Sequence, residues 1–429
     1  MSILIKGGYI VDPANRREGH SDILIEKGKI VSIDKELKVS ADKLIDARTK
    51  FIFPGLIDMH CHLREPGRED EETLLSGARA GIKGGFTALC CMPNTEPAID
   101  NQGVVEYIYT ESRKINLIDI YPVGAITKRR EGKELTEIGS LKKAGVVAIS
   151  DDGNCVMDSE IMRRAMEYSK MFDLLIISHC EDKNLSQDGL VNEGYVSSLL
   201  GLKGIPREAE IIMVARDIEL ARLTKSRLHI AHVSCKESVA LVRKAKQEGI
   251  KVTCETCPHY FSLTEENVLG YNTNCKVNPP LRTAKDIEAI KEGLKDGTID
   301  VIATDHAPHA DFEKDVEFDR ASFGIIGLET ALGIALKELI ETKTISISQL
   351  VEKMSVMPAK ILGLNKGRLS IGEDADLIIL DLNKSWVVEK EKIISKSKNS
   401  PYLNWTLPGL IEYVIVGERL LLDKGSLSY

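Results

Sequence analysis

Nine histidines occur in the 429 residues, and eight of them lie between positions 60 and 309. Two sit one residue apart in "IDMHCHLREPG" (57–67), within an apolar run that starts at Phe51. In a strand, side chains i and i+2 point to the same face, so His60 and His62 can reach one ion together. Two imidazoles leave a divalent ion short of ligands; catalytic zinc usually takes three protein groups and keeps one position open. Further donors stand near the ends of other apolar runs: Asp151 and Asp152 in "AISDDG", His179 in "LLIISHCED", His232 in "RLHIAHVS" and Asp305 in "IDVIATDHAPH". This set is too rich for one tetrahedral ion and fits two neighbouring ions that share a carboxylate and a hydroxide. Alternation says only that Asp151 and Asp152 face opposite ways.

Taken singly, each element has a plainer reading. A His-x-His pair beside a turn is common, and "SDDG" alone suits a turn or a helix cap. His229 lies mid-strand as a structural residue, and His306 suits a hydrogen bond within its own loop. "CETC" (254–257) has C-x-x-C spacing, but no second pair follows, so Cys254 and Cys257 read as buried strand thiols. The case for a metal centre rests on the coincidence of these signals at successive strand ends.

The formal net charge of −8 argues against non-specific nucleic-acid binding. An acidic chain that takes an anionic small molecule needs a local cation. Arg64, two residues after His62, supplies one at the strand mouth and can meet a carboxylate with two parallel hydrogen bonds. The alternative is a surface arginine pairing with Glu65 or Glu69. Nine cysteines without framework spacing read as reduced thiols in a cytoplasmic protein. "MSILIKGGYIVD" reads as a strand rather than a signal peptide, and no apolar run of about 18 residues predicts a membrane span.

The elements that must hold these groups follow from periodicity. Continuous apolar runs at 55–61, 86–91, 117–124, 145–151, 174–178, 227–232, 250–256 and 299–304 predict eight strands buried on both faces. Between them run amphipathic segments such as 158–172, 209–224 and 286–297, with Asp158 and Ser159 as candidate N-caps. Eight alternations suggest an α/β fold, a (β/α)₈ TIM-like barrel over 52–360, with catalytic groups expected where strands end. A doubly wound open sheet is the second choice. Residues 1–51 and 361–429 alternate apolar with polar residues and carry Gly turns, which predicts one small β-sandwich built from both termini.

With these residues assembled, the chain resembles the amidohydrolase superfamily, and closely the bacterial class I dihydroorotases. The likeness covers nearly the whole chain. It rests on "PGLIDMHCHLREPG", "CCMPNTEPAIDN", "ISDDGNCVMD", "ISHCED", "HIAHVS", "KVNPPLR", "ATDHAPH" and "FGIIGLET", with "PAKILGL" and "GEDADLIILDL" behind them. The resemblance implies reversible hydrolysis of the cyclic amide of dihydroorotate to N-carbamoyl-L-aspartate, a step of pyrimidine (UMP) synthesis. It implies two zinc ions per subunit: His60 and His62 on one, His179 and His232 on the other, and Asp152 between them. Asp305 would be a ligand of the first ion and the acid/base for a bridging hydroxide. Arg64, Asn94, Asn278 and His309, with His62 beside them, would hold the substrate, and the backbone around Phe323 and Gly324 would close over it. A homodimer is implied as well, with association to aspartate transcarbamoylase left open.

One departure is "CETCPHYFSL", where many dihydroorotases have a second histidine in place of Tyr260 and where the wording resembles hydantoinases. As a resemblance, hydantoinases and allantoinases bridge their metals with a carboxylated lysine on the fourth strand. Residues 145–153, "GVVAISDDG", contain no lysine; Lys142 and Lys143 precede them. A non-catalytic scaffold homologue should have lost metal residues, and none of the six is missing. The zinc-deaminase pattern is absent, because Thr253 rather than Pro precedes Cys254.

Overall fold

The computed structural model describes residues 2–429 and is a mixed α/β structure. Each of the eight expected segments contains a strand: Leu56–Cys61, Phe86–Cys91, Asp119–Pro122, Ala148–Ile149, Leu175–Ser178, Leu228–Ile230, Val252–Thr256 and Val301–Ile302. All are paired in parallel. The first three form one sheet and the last five another. Isolated parallel bridges join the two sheets, Gly124 to Ile149 and Cys61 to His306. Every residue of Leu56–Cys61, Phe86–Cys91 and Leu175–Ser178 is buried, which explains why these runs are apolar without alternation.

Helices cover the strands. Ser159–Lys170 starts where Asp158 accepts hydrogen bonds from the Glu160 and Ile161 amides, and it buries Met162, Ala165, Met166 and Ser169. Asp158 is thus the cap and Ser159 the first helical residue. The other expected helices span Glu208–Thr224 and Ala284–Asp296. Glu208–Thr224 buries two carboxylates among its apolar residues. Glu210 accepts from the Ser234 amide, and Asp217 from the Ser178 hydroxyl, so the helix is bound to the ends of two strands.

The two ends of the chain meet in one nine-stranded sheet. Phe51–Pro54 is the seam, parallel to Ser2–Asp12 and antiparallel to Leu377–Val387. One face carries Ile3, Ile5, Ile23, Ile25, Ile52, Leu377, Ile379 and Ile415 into an apolar cluster of their own. The seam leads directly into Leu56–Cys61, so the strand that carries His60 is anchored at its start by pairing from both termini.

At its other end that strand is tied to the last of the series. The His62 amide donates to the His306 carbonyl at 2.8 Å and the Asp305 amide to the His60 carbonyl at 3.0 Å. Asp58, fully buried, accepts from the Thr304 amide at 3.1 Å, the His60 amide at 3.2 Å and the Thr304 hydroxyl. Asp58→Ala leaves these donors without a partner in a region closed to water. The expected cost is about 1–3 kcal/mol, read as a lower urea midpoint at unchanged slope; an unchanged midpoint would show that Asp58 does not hold the two strands together.

Candidate functional site

Strand alternation places His60 and His62 on one face, and outer partners decide which ring nitrogen each presents. The Nδ1 of His60 is bound by Glu255, and the Nδ1 of His62 meets Asn94 Oδ1 at 2.7 Å. Both rings therefore turn Nε2 inward. There His62 Nε2 lies 3.0 Å from Asp305 Oδ1, and His60 Nε2 lies 3.6 Å from the same oxygen. His179 is held the opposite way: its Nε2 meets Glu181 at 2.9 Å, and its Nδ1 faces His232 Nε2 at 2.8 Å.

Asp152 stands between the two histidine pairs. Its carboxylate is 3.2 Å from His60 Nε2, 3.5 Å from His62 Nε2, 3.7 Å from His232 Nε2 and 3.9 Å from His179 Nδ1. Asp151 faces away and accepts from the Ile126 and Thr127 amides at 2.8 and 3.0 Å. The alternation of neighbouring side chains thus separates one inward carboxylate from one that caps a turn.

These groups suit divalent cations. Donor atoms of His60, His62 and Asp305, and again of His60, Asp152 and His232, lie within 4.8 Å of one another. His60 Nε2 and Asp152 Oδ1 are buried with no hydrogen-bond partner. Such atoms cost free energy unless something satisfies them, and a cation at the centre would do so. Burial alone would push the His60 pKa down, yet the charges of Asp152 and Glu255 hold it well above its ordinary value. Burial likewise pushes Asp305 up, but the His62 hydrogen bond and the neighbouring imidazoles bring it below the usual carboxylate value.

The remaining predicted residues surround a cavity of about 540 Å³ above this cluster. His62, Arg64, Asn94, Asp152, His179, His232, Asn278, Asp305, His309, Phe323 and Gly324 all line it, while His60 lies beneath. Arg64 is buried and contacts neither Glu65 nor Glu69. Its Nε lies 2.8 Å from Glu71 and donates to the Pro308 carbonyl at 3.1 Å. Glu71 also meets His309 Nδ1 at 2.9 Å, and His309 Nε2 meets the Phe323 carbonyl at 2.8 Å. Asn278 donates to Glu181 at 3.0 Å. The His306 amide bonds within its own loop, to the Thr304 hydroxyl at 2.9 Å, but its ring does not. The ring accepts from the Gly327 amide and faces Glu72, on segments brought to it by the fold. Cys254 and Cys257 are buried free thiols.

Sequence reasoning passed over Glu71, Glu181 and Glu255. Glu181 carried a signal, lying two residues after His179 on an extended segment. Glu255 sits inside the "CETC" stretch read for its thiols, and it is fully buried between His60 and His229, 3.3 Å from the latter's Nε2. A carboxylate behind a ligating imidazole fixes its tautomer and orientation. Glu255→Gln is therefore expected to weaken divalent-metal affinity about 10–100-fold by chelator competition, with an unchanged far-UV circular dichroism spectrum. Unaltered affinity would remove this role.

The family described as Dihydro-orotase-like matches residues 49–238. A dihydroorotase from Acetivibrio thermocellus is 54% identical over 98% of this chain and 99% of its own length. One from Caldicellulosiruptor saccharolyticus is 51% identical over 99% of this chain and 100% of its own. Among solved structures, the L-hydantoinase (dihydropyrimidinase) from Arthrobacter aurescens superposes with a TM-score of 0.89 at 25% identity. It covers 100% of this chain and 97% of that one. The dihydropyrimidinase from Brevibacillus agri gives 0.86 at 22%, covering 100% and 96%; it shares the fold. Half of all positions shared from end to end with dihydroorotases, against a quarter with a hydantoinase of the same shape, places this chain in the dihydroorotase family.

Proposed function

We propose that the protein is a zinc-dependent dihydroorotase, interconverting (S)-dihydroorotate and N-carbamoyl-L-aspartate in pyrimidine synthesis. In this reading 52–360 form a (β/α)₈ barrel, supported by the eight parallel strands and the bridges between their two sheets. Residues 1–51 and 361–429 form the second domain, a β-sandwich. The observation that carries the reading is that Asp305 and Arg64, a proton carrier and a carboxylate receptor, line one cavity over the imidazole cluster. Family membership supports the substrate, and by itself a cytoplasmic homodimer; aspartate transcarbamoylase as a partner has no further support.

His60 and His62 would hold one zinc, His179 and His232 the second, with Asp152 shared and Asp305 completing the first. Bound cations of this kind supply Lewis acidity toward the ring carbonyl and lower the pKa of water. The chain's own residues do the rest. Arg64 and His309, with Asn94 and Asn278, hold the substrate carboxylate and ring so that the scissile amide lies over Asp305. As water adds to the carbonyl, Asp305 takes its proton; as the C–N bond breaks, Asp305 delivers that proton to the departing ring nitrogen. Closure runs in reverse and starts from protonated Asp305. The same cavity suits a hydantoinase in shape, but the fourth strand and its mouth offer an aspartate and no lysine, which favours dihydroorotate.

The deciding experiment is metal analysis of the purified protein beside assays on dihydroorotate, hydantoin and allantoin, with Asp305→Asn as control. Expected are two zinc per chain, turnover of dihydroorotate, and loss of at least a hundredfold in Asp305→Asn; preference for hydantoin would overturn the substrate assignment. Arg64→Lys is expected to raise KM with little change in metal content, because one ammonium replaces a planar two-pronged donor; unchanged kinetics would remove Arg64 from the site. Hydrolysis starts from ionised Asp305 and ring closure from protonated Asp305, so hydrolysis is expected to be favoured at higher pH and ring closure at lower pH, with the acid limb of hydrolysis set below the usual carboxylate range by the lowered pKa of Asp305. Profiles peaking together in both directions would contradict the assignment.

A further inference from the structure

The wall of the cavity at Phe323 and Gly324 belongs to an irregular segment, 315–324, that no regular element supports from within. Two lysines hold it: Lys276, from a distant part of the chain and itself among the residues lining the cavity, and Lys314, which directly precedes the segment. Lys276 Nζ donates to the Phe318 carbonyl at 2.7 Å and the Asp319 carbonyl at 3.1 Å. Lys314 Nζ donates to the Ser322 carbonyl at 2.7 Å and the Gly324 carbonyl at 3.0 Å. The main chain continues the pattern, with the Gly324 amide donating to the Lys276 carbonyl at 2.9 Å. Lys276 Nζ also lies 4.6 Å from the centre of the Phe323 ring.

Both lysines are nearly inaccessible, at 2% and 5% exposure. Burial pushes Lys276 down to about 8 and Lys314 down to about 7. Burying an ammonium costs much more than burying an apolar side chain of the same length. Here the hydrogen bonds of each go to main-chain carbonyls of one loop, where a neutral or charged amine can donate alike. The segment so held carries the Phe323 carbonyl that meets His309 Nε2, and Gly324 sits against Ala307 so closely that a Cβ would lie 2.7 Å from the Ala307 Cβ.

We propose that Lys276 and Lys314 are positioning residues that hold 318–324 closed against His309 and so fix the substrate-facing wall. The inference rests on the reading that Phe323 and Gly324 close over the substrate. Neither lysine touches the metal-ligand cluster, so their loss should act on substrate capture and leave metal binding and the chemical step in place.

The test compares wild type with Lys314→Met and Lys276→Met, which keep length and remove the donors. Expected in each is a rise in KM for dihydroorotate of about tenfold, kcat within about threefold, an unchanged zinc content, and faster amide exchange over 318–325. KM within about twofold of wild type with unchanged exchange overturns the proposal, as does a fall in zinc content that accompanies the loss of activity, since that marks a merely structural role. If Lys314→Met does not fold, Lys276→Met carries the same comparison. Absence of dihydroorotate turnover in the wild type would defeat the proposed function instead, and amide exchange would still decide whether the lysines hold the segment.

Discussion

Asp152, buried, and Asp305, half-buried, are packed among four imidazoles, and that crowding governs the rest of the site. In water such groups would separate or hydrate; here they are held with their polar atoms facing one another and with two of those atoms unsatisfied. Cations in the centre would convert this cost into coordination. The geometry depends less on the inward groups than on what stands behind them. Glu255 and Asn94 bind Nδ1 of His60 and His62 and turn Nε2 inward, whereas Glu181 binds Nε2 of His179 and turns Nδ1 inward. Three outer side chains thus set the tautomers and ring orientations on which ligation would depend.

The backbone is strained where these groups meet. Arg64, His232 and Asp305 all have positive φ, at 62°, 33° and 47°. For side-chain-bearing residues each such conformation costs of order 1–3 kcal/mol, and it persists only where the surroundings over-determine it. They do so here. The Asp305 amide is bound to His60, its neighbour Thr304 to Asp58, and the Arg64 side chain to Glu71 and Pro308. A chain that left its strands in relaxed geometry would point these side chains along the strands or away from the cavity. The buried strands and the anchoring seam at Phe51–Pro54 supply the rigidity that holds the turned conformations.

The parts of this arrangement legible in the sequence are those encoded locally. Apolar runs placed eight strands within a few residues, and two-residue alternation put His60 and His62 on one side. Apart from Phe86–Cys91, the strands came out shorter than their runs, and Ala148–Ile149 and Val301–Ile302 keep only two residues each because the chain leaves ladder geometry just before it presents Asp152 and Asp305. What stayed hidden is the partner of each charged group. Arg64 had Glu65 and Glu69 as sequence neighbours and bonds Glu71 instead; His60 is oriented by a residue 195 positions away. Lys276 lies two residues before Asn278 in a stretch read only for the asparagine, and nothing in its local pattern marks an ammonium aimed at a loop more than 40 residues downstream. Tertiary pairing of this kind has no period to detect.

The fold cannot choose among cyclic amides, since a hydantoinase and this chain share it almost completely. The choice falls to the few groups that face the cavity. A cyclic amide bearing a carboxylate must leave water for a site that returns its lost solvation, and on the proposed reading Arg64 would do so, with its Nε taken up by Glu71 and Pro308 and its Nη2 3.3 Å from His309. A substrate without that carboxylate would leave a buried guanidinium underused and gain nothing from the approach of His309. On the proposed reading, then, specificity arises from the same device as ligation: Glu71 behind Arg64, like Glu255 behind His60 and Glu181 behind His179, decides which atoms of the side chain in front face the cavity.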